Sequence, residues 1–133
     1  MKVAVKTAFD LALKASEKAH CVYSKYAVGA ALKAKGTNEI FYGCNVENAS
    51  FGAPVCAERS AIFNMVSRIG KTPIEFIVLV TDTPQGAPPC GMCLQVMSEF
   101  CEPAMPVYLC NLKGIVTEVR FDQLLPQVFH YKV

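Results

Sequence analysis

Apolar side chains recur at three- and four-residue steps near the start of the chain. They are Val5, Ala8, Phe9, Ala12, Ala15 and Ala19. This spacing places them on one face of a helix. Residues from about 3 to 20 are therefore predicted to form an amphipathic α-helix with Lys14 and Lys18 turned outward.

Two further helices and one helical turn are predicted later in the chain. The first helix covers 55–69, because a proline suits its first turn and a glycine follows its end. The second covers 93–100, before two prolines interrupt the pattern. A single helical turn is predicted over 122–125, where Pro126 stops it.

Five short apolar segments have the character of strands. Two hairpins are predicted, one from 26–34 and 40–46 and the other from 106–112 and 115–121. Residues 76–81 are apolar throughout, as in a central strand covered on both faces. The order of elements predicts an α/β fold in a single domain over 1–133, with one mixed five-stranded sheet covered by helices on both faces.

Composition narrows the class of protein. Hydrophobic residues make up 53% of the 133 positions and charged residues 18%, which excludes a disordered chain and suggests a buried subunit interface besides the core. No run reaches the roughly 20 apolar residues that span a bilayer, and the first residues lead into a charged helix. We therefore expect a cytoplasmic protein without a membrane partner.

Charge and cysteine content limit the partners and the chemistry. The formal charge is +2 and the lysines are scattered, so a nucleic-acid partner is not indicated. A reducing compartment keeps the seven cysteines free for burial, metal binding or catalysis.

Three cysteines and one glutamate have the spacing of a metal site. Cys90 and Cys93 lie three apart in a turn that leads into a helix, a pattern shared by redox dithiols and structural zinc half-sites. Cys56 adds a third thiol at the start of another predicted helix. Three thiolates leave tetrahedral Zn²⁺ one position for water, and the nearby carboxylate of Glu58 is the candidate to move its proton.

The charge and geometry of this site impose two conditions. Three thiolates and one dication carry a net charge of −1, which the N-termini of the two helices and Arg59 can offset. For Arg59, an ordinary surface charge on the helix is the alternative. Residues i and i+2 of a helix lie about 200° apart, so Cys56 and Glu58 can share a site only beyond the helix end.

Five segments in order along nearly the whole chain resemble cytidine deaminase of the small homotetrameric type. They are YSKYAVGAAL (23–32), GCNVENASFG (43–52), CAER (56–59), PCGMC (89–93) and LLP (124–126). The resemblance implies the three-layer fold of that family and one Zn²⁺ per chain. It also implies hydrolytic deamination of cytidine or deoxycytidine with release of ammonia, in a homotetramer with sites at subunit interfaces.

The same resemblance assigns roles around the substrate. Asn45 and Glu47 match the residues that bind the sugar hydroxyls, and backbone groups near Ala57 hold the edge of the base. Tyr26 stands where the family usually has a phenylalanine that stacks on the base. Phe129 matches an aromatic residue that reaches a neighbouring subunit's pocket. The residues alone also allow other roles. Asn45 could cap a turn and Glu47 could be solvated, and the two aromatic rings could simply pack in the core or at an interface.

Four positions depart from the family pattern. Leu94 replaces a frequent basic residue, Ala27 replaces a frequent proline, Phe51 lacks the hydroxyl of a frequent tyrosine, and Tyr26 has one that phenylalanine lacks. These changes concern substrate affinity and the preference between ribose and deoxyribose. Phe51 is still predicted to belong to the substrate-binding group.

Roles for the other cysteines and histidines, and functions other than nucleoside deamination, are also considered. We expect the remaining thiols to be small buried hydrophobes and both histidines to lie at the surface or at subunit contacts; these residues are Cys21, Cys44, Cys101, Cys110, His20 and His130. Competing functions are a deaminase of cytosine or adenine in RNA or single-stranded DNA, a non-catalytic zinc scaffold, and a dithiol redox protein.

Overall fold

The five strands form one sheet in the order β2-β1-β3-β4-β5, and four helices cover it. The computed structural model describes residues 2–131. Its elements are α1 (Val3–Ser16), β1 (Val28–Ala34), β2 (Ile40–Cys44), α2 (Ala57–Ile69), β3 (Ile74–Thr81), α3 (Gly91–Ser98), β4 (Pro106–Cys110), β5 (Ile115–Arg120) and α4 (Phe121–Leu124). Strands β3 and β4 are parallel and the other neighbouring pairs are antiparallel. The predicted mixed five-stranded sheet is confirmed.

The sheet separates two apolar cores. On one face, Val5 and Phe9 of α1 pack in a cluster with Val78 of β3. On the other face, Ile62 of α2 and Met97 of α3 belong to a cluster with alternate residues of the same strand. Because successive side chains of a strand point to opposite faces, β3 contributes to both cores. Its unbroken apolar character reflects this central position, as predicted.

The ends of several elements differ from the predicted ones for local reasons. Helix α1 ends at Ser16 rather than near residue 20, because the next residues form a tight turn and the chain then extends. The backbone N–H of His20 donates to the carbonyl of Asn45 at 3.0 Å. Strand β2 ends at Cys44 because Val46 pairs with His20 and Val55 instead.

The predicted helix over 93–100 is shifted by two residues. Helix α3 covers Gly91–Ser98 because Cys90, in an extended conformation, caps its start. The other predicted elements agree with the observed ones to within two residues at each end. Among residues 2–131, no helix has both the length and the apolar character required to cross a membrane.

Two glycines allow the helices to approach the sheet closely. A Cβ on Gly29 of β1 would lie 1.9 Å from the carbonyl oxygen of Ala12 in α1. A Cβ on Gly43 of β2 would lie 2.5 Å from the hydroxyl oxygen of Ser60 in α2. The second contact determines how near the start of α2 lies to the sheet, and Cys56 and Glu58 stand at that start.

We expect Gly29→Ala to lower the stability of the fold strongly. The new methyl group overlaps backbone atoms that cannot move aside, and such overpacking costs about 1–3 kcal/mol or more. Thermal unfolding is the measurement, with Gly114→Ala as control, since a Cβ there meets nothing within 4 Å. Equal melting temperatures for the two variants would contradict the close packing of α1 on β1.

Candidate active site

The structure brings the three predicted thiols together. The sulfur atoms of Cys56, Cys90 and Cys93 all lie within 4.8 Å of one another. A zinc–sulfur bond of about 2.3 Å gives about 3.8 Å between sulfurs in a tetrahedral site, so this donor set fits one zinc ion. Within residues 2–131, no fourth histidine, cysteine, aspartate or glutamate joins the cluster.

Two helix starts converge on this cluster. Cys56 is the N-cap of α2 and Cys90 is the N-cap of α3, both with extended backbone. Unpaired N–H groups and the helix dipole stabilise an anion at such a position by about 0.3–1 kcal/mol. Because Cys56 lies outside the regular helix, the 200° separation does not apply, and Cys56 and Glu58 line one cavity.

Arg59 contacts the sulfur cluster rather than pointing into solvent. Its Nη2 atom donates to the Cys56 Sγ at 3.6 Å and to the Pro54 carbonyl at 3.4 Å. The pKa of the Cys56 thiol falls to about 5, because Cys93 donates a hydrogen bond to it and the Arg59 guanidinium stabilises its thiolate. The pKa of Cys93 rises because its hydrogen bond to Cys56 and its burial favour the protonated thiol.

Glu58 is a buried carboxyl group beside these sulfurs. Its exposed fraction is 5%, although it lines the same cavity as Cys56 and Cys90. Its pKa is raised, first by loss of hydration and then by the negative charge of Cys56. A carboxyl group whose pKa is raised holds and releases protons nearer to neutral pH, which is the property of a general acid and base.

The cavity has a volume of about 340 Å³, within the usual range for small-molecule sites. Its lining includes two of the three thiols, the Glu58 carboxyl and several hydrogen-bonding side chains. Its lining residues are Ser24, Tyr26, Val28, Asn45, Glu47, Cys56, Ala57, Glu58, Leu79, Thr81, Ala87, Pro88 and Cys90. It thus unites most of the predicted catalytic and substrate-binding residues.

Asn45 and Glu47 also build the wall of this cavity. Glu47 accepts hydrogen bonds from the backbone N–H groups of Tyr23 and Ser24 and from the Ser24 hydroxyl. These bonds, those from Ser24 first, lower the pKa of the Glu47 carboxyl. Asn45 accepts from the Val28 N–H and donates through Nδ2 to a carbonyl, each at 2.8 Å. This structural role was not part of the sequence prediction.

Tyr26 connects two loops at the rim. Its ring lines the cavity, and its hydroxyl forms a 2.8 Å hydrogen bond with the Thr83 hydroxyl. This bond joins the segment before β1 to the loop that follows β3. A phenylalanine at position 26 has no atom that can form it, so the departure from the family pattern has a definite structural effect.

Two predicted substrate-binding residues lie away from the cavity of their own chain. The Phe51 side chain is fully exposed, and that of Phe129 is 68% exposed. Phe129 lines a separate cavity with His130, and its carbonyl accepts a hydrogen bond from Gln95 at 3.0 Å. Leu94, another departure from the family pattern, is buried in the core shared by α2 and α3.

The remaining cysteines and histidines lie outside the sulfur cluster. Cys110 is buried, whereas Cys21, Cys44 and Cys101 are half-buried. Burial raises the pKa of Cys101 and Cys110 to about 12. Both histidines are exposed.

Sequence reasoning missed several cavity residues. They are Ser24, Val28, Leu79, Thr81, Ala87 and Pro88. Thr81 ends a central strand, which is a usual location for site residues, so its position in the sequence could have identified it. The side chains of the other five have no chemistry that distinguishes them in the sequence.

Comparison with known proteins agrees with this geometry. A family model described as the cytidine and deoxycytidylate deaminase zinc-binding region matches residues 3–109. The chain belongs to this family. Zinc is the cofactor of the family's matched region, and the three-sulfur cluster corresponds to one ion per chain.

Individual members of the deaminase family match nearly the whole chain. Cytidine deaminase of Sporosarcina psychrophila is 48% identical over 87% of this chain and 84% of its own. That of Halalkalibacterium halodurans is 44% identical over 89% and 88%. The crystal structure of cytidine deaminase from Burkholderia pseudomallei has a TM-score of 0.86 at 39% identity, covering 97% of this chain and 100% of that one. The resemblance inferred from the sequence motifs is confirmed.

We expect Cys56→Ser to lose zinc. Serine is a much poorer zinc ligand than a thiolate, so affinity should fall by more than about 100-fold, beyond the loss seen when an outer-shell partner is removed. Competition with a chromogenic chelator measures this, with one zinc per chain expected for the unaltered protein. Cys21→Ser, which changes a thiol outside the cluster, is the control. Equal zinc affinity in both variants would contradict the three-sulfur site.

Proposed function

We propose that this chain is a cytidine deaminase that converts cytidine and deoxycytidine to uridine and deoxyuridine and releases ammonia, as in pyrimidine salvage. The observation that carries the proposal is the buried carboxyl of Glu58, which lines a nucleoside-sized cavity together with Cys56 and Cys90 of the three-sulfur cluster. Membership of the deaminase family supports the reaction, and the identity to cytidine deaminases supports the substrate.

Cys56, Cys90 and Cys93 hold the zinc ion in this proposal. Bound zinc supplies Lewis acidity and a water molecule whose pKa lies near 7. Arg59 and the two helix N-termini offset the negative charge of the three thiolates. Without this compensation, the thiolates would oppose loss of a proton from the water.

Glu58 moves the protons of the reaction. One of its carboxylate oxygens accepts the proton that the attacking water loses and delivers it to ring nitrogen 3 of the base. The water oxygen then bonds to carbon 4, which protonation of the ring has made more electrophilic. Glu58 then takes the remaining proton from the hydroxyl on carbon 4 and passes it to the amino group. The carbon–nitrogen bond breaks as the carbon–oxygen double bond forms, and ammonia departs. The raised pKa of Glu58 suits both halves of this cycle.

Other residues that line the cavity hold the nucleoside in position. The ring of Tyr26 stacks on the base, and the backbone of Ala57 binds its edge. Asn45 and Glu47 bind the sugar hydroxyls. Glu47 keeps acceptor capacity while it holds the 23–24 backbone, since a carboxylate offers about four lone-pair positions. Glu47 thus both stabilises the wall of the cavity and binds the sugar hydroxyls.

The competing functions fit the structure less well. A deaminase of polynucleotides needs a basic channel for the strand, whereas this cavity is small and the chain carries a formal charge of only +2. A structural zinc scaffold has no use for a buried carboxyl beside an open metal position. A redox dithiol needs two thiols, whereas here a third thiol, that of Cys56, lies within 4.8 Å of those of Cys90 and Cys93.

Assembly and location complete the proposal. The single domain over 1–133 forms a homotetramer in which Phe51 and Phe129 reach the cavities of neighbouring chains. Their exposure within the isolated chain supports this arrangement, because large exposed aromatic groups are favoured at protein interfaces. A cytoplasmic location suits a site made of three reduced thiols.

Loss of ultraviolet absorbance tests the activity of the zinc-loaded protein on cytidine, deoxycytidine and an oligonucleotide that contains cytosine. We expect turnover of the two nucleosides and none of the oligonucleotide. Glu58→Gln should lose several orders of magnitude in kcat with zinc retained, because the amide cannot carry the protons. Glu39→Gln in an exposed turn is the control. Turnover of the oligonucleotide alone, or full activity of E58Q, would reject the proposal.

Mixing two inactive or impaired variants tests the shared sites. We expect sedimentation at four chains and a fall of about tenfold or more in kcat/KM for Phe129→Ala, from the loss of one aromatic contact. Unfolding and reassembling F129A together with E58Q should restore activity, since some mixed cavities then receive both native residues. Tyr131→Ala, which alters an exposed aromatic nearby, is the control. A monomer, or no recovery in the mixture, would contradict sharing between chains.

A further inference from the structure

One buried hydroxyl beside the active site lacks a hydrogen-bond partner. Thr81 ends strand β3 and is 3% exposed, and its Oγ1 bonds to no other atom of residues 2–131. Buried polar side chains are nearly always hydrogen-bonded, because an unpaired hydroxyl loses its hydration without replacement. In the described part of the chain, only Arg59 Nε shares this condition, and Arg59 also contacts the site.

The position of Thr81 on the sheet directs its side chain to the cavity. Alternation along β3 places Thr81 on the same face as Leu79, which lines the cavity. Its antiparallel neighbour on β1 is Val28, which also lines the cavity. The side chains of Leu79 and Val28 are apolar, so Thr81 supplies the polar side chain among these three lining residues.

We propose that the Thr81 hydroxyl binds the polar edge of the pyrimidine ring. This inference rests on the proposed function, since it assigns a contact to the same nucleoside. A hydroxyl both donates and accepts, and it rotates to suit its partner. It can therefore accept a hydrogen bond from the amino group of cytosine, or donate one to a carbonyl oxygen of cytosine or of the product base uracil. Glu58, on the same cavity, remains the group that moves protons.

A binding role and a structural role predict opposite effects on stability. Valine has nearly the shape of threonine without the hydroxyl. If the hydroxyl serves only the ligand, Thr81→Val removes an unpaired buried group, so the melting temperature without substrate should stay the same or rise. If the hydroxyl instead stabilises the fold, the same variant should melt at a lower temperature.

Kinetics and direct binding test the contact. We expect Thr81→Val to raise the KM for cytidine about 5- to 10-fold with little change in kcat, the pattern for loss of one uncharged hydrogen bond made in both ground and transition states. Thr81→Ser should restore most of the affinity. Calorimetric titration of cytidine into E58Q, with and without T81V, should show the same loss in the absence of turnover. Thr117→Val, at an exposed position of β5, is the control.

Two results would overturn the inference. One is T81V with unchanged cytidine affinity while the unaltered protein deaminates cytidine. The other is T81V with lowered melting temperature and weakened binding that T81S does not rescue. Failure of the unaltered protein to bind or deaminate cytidine would instead reject the proposed function, so the two failures are distinct.

Discussion

Concentrated negative charge is the constraint on which this structure depends. Three sulfur ligands within 4.8 Å of one another must lose their protons to hold zinc, and each thiolate repels the others. Two helix N-termini and the guanidinium group of Arg59 lie beside these sulfurs and offset their negative charge. Cys93 is buried and Cys56 and Arg59 are half-buried, so solvent screens these charges less than it screens fully exposed ones. The site is thus a property of how the helices are arranged on the sheet.

The sheet topology makes this arrangement possible. Helices α2 and α3 precede and follow β3 in the chain and pack on the same face of the sheet, in one apolar core. Their first residues meet beyond the end of β3, where Thr81 stands. Gly43 lets α2 lie close to β2, so the position of the first turn of α2 depends on the absence of a single side chain. The packing of the two helices on the sheet therefore determines where the site residues at their first turns lie.

Periodicity and spacing predicted the layers of the fold and the metal site, because these depend on local pattern. The step pattern of α1 identified its buried face but not its end at Ser16, which depends on pairing of His20 with a segment some 25 residues later. The role of Glu47 in holding residues 23 and 24 is equally nonlocal. The sequence predicted Thr81 as the end of a core strand, and only the folded chain shows that this residue lines the cavity.

The buried polar atoms without hydrogen-bond partners are also found near the site. An enzyme gains when its binding groups are left ready for the substrate, although each unpaired group weakens the free protein. Thr81 Oγ1 and Arg59 Nε are the buried side-chain atoms without partners among residues 2–131. Thr81 lines the cavity, and Arg59 contacts Cys56. Elsewhere in the described chain, such atoms are hydrogen-bonded. Thr81 lines the cavity, so the proposed contact with the nucleoside would restore the stability that its unpaired hydroxyl loses.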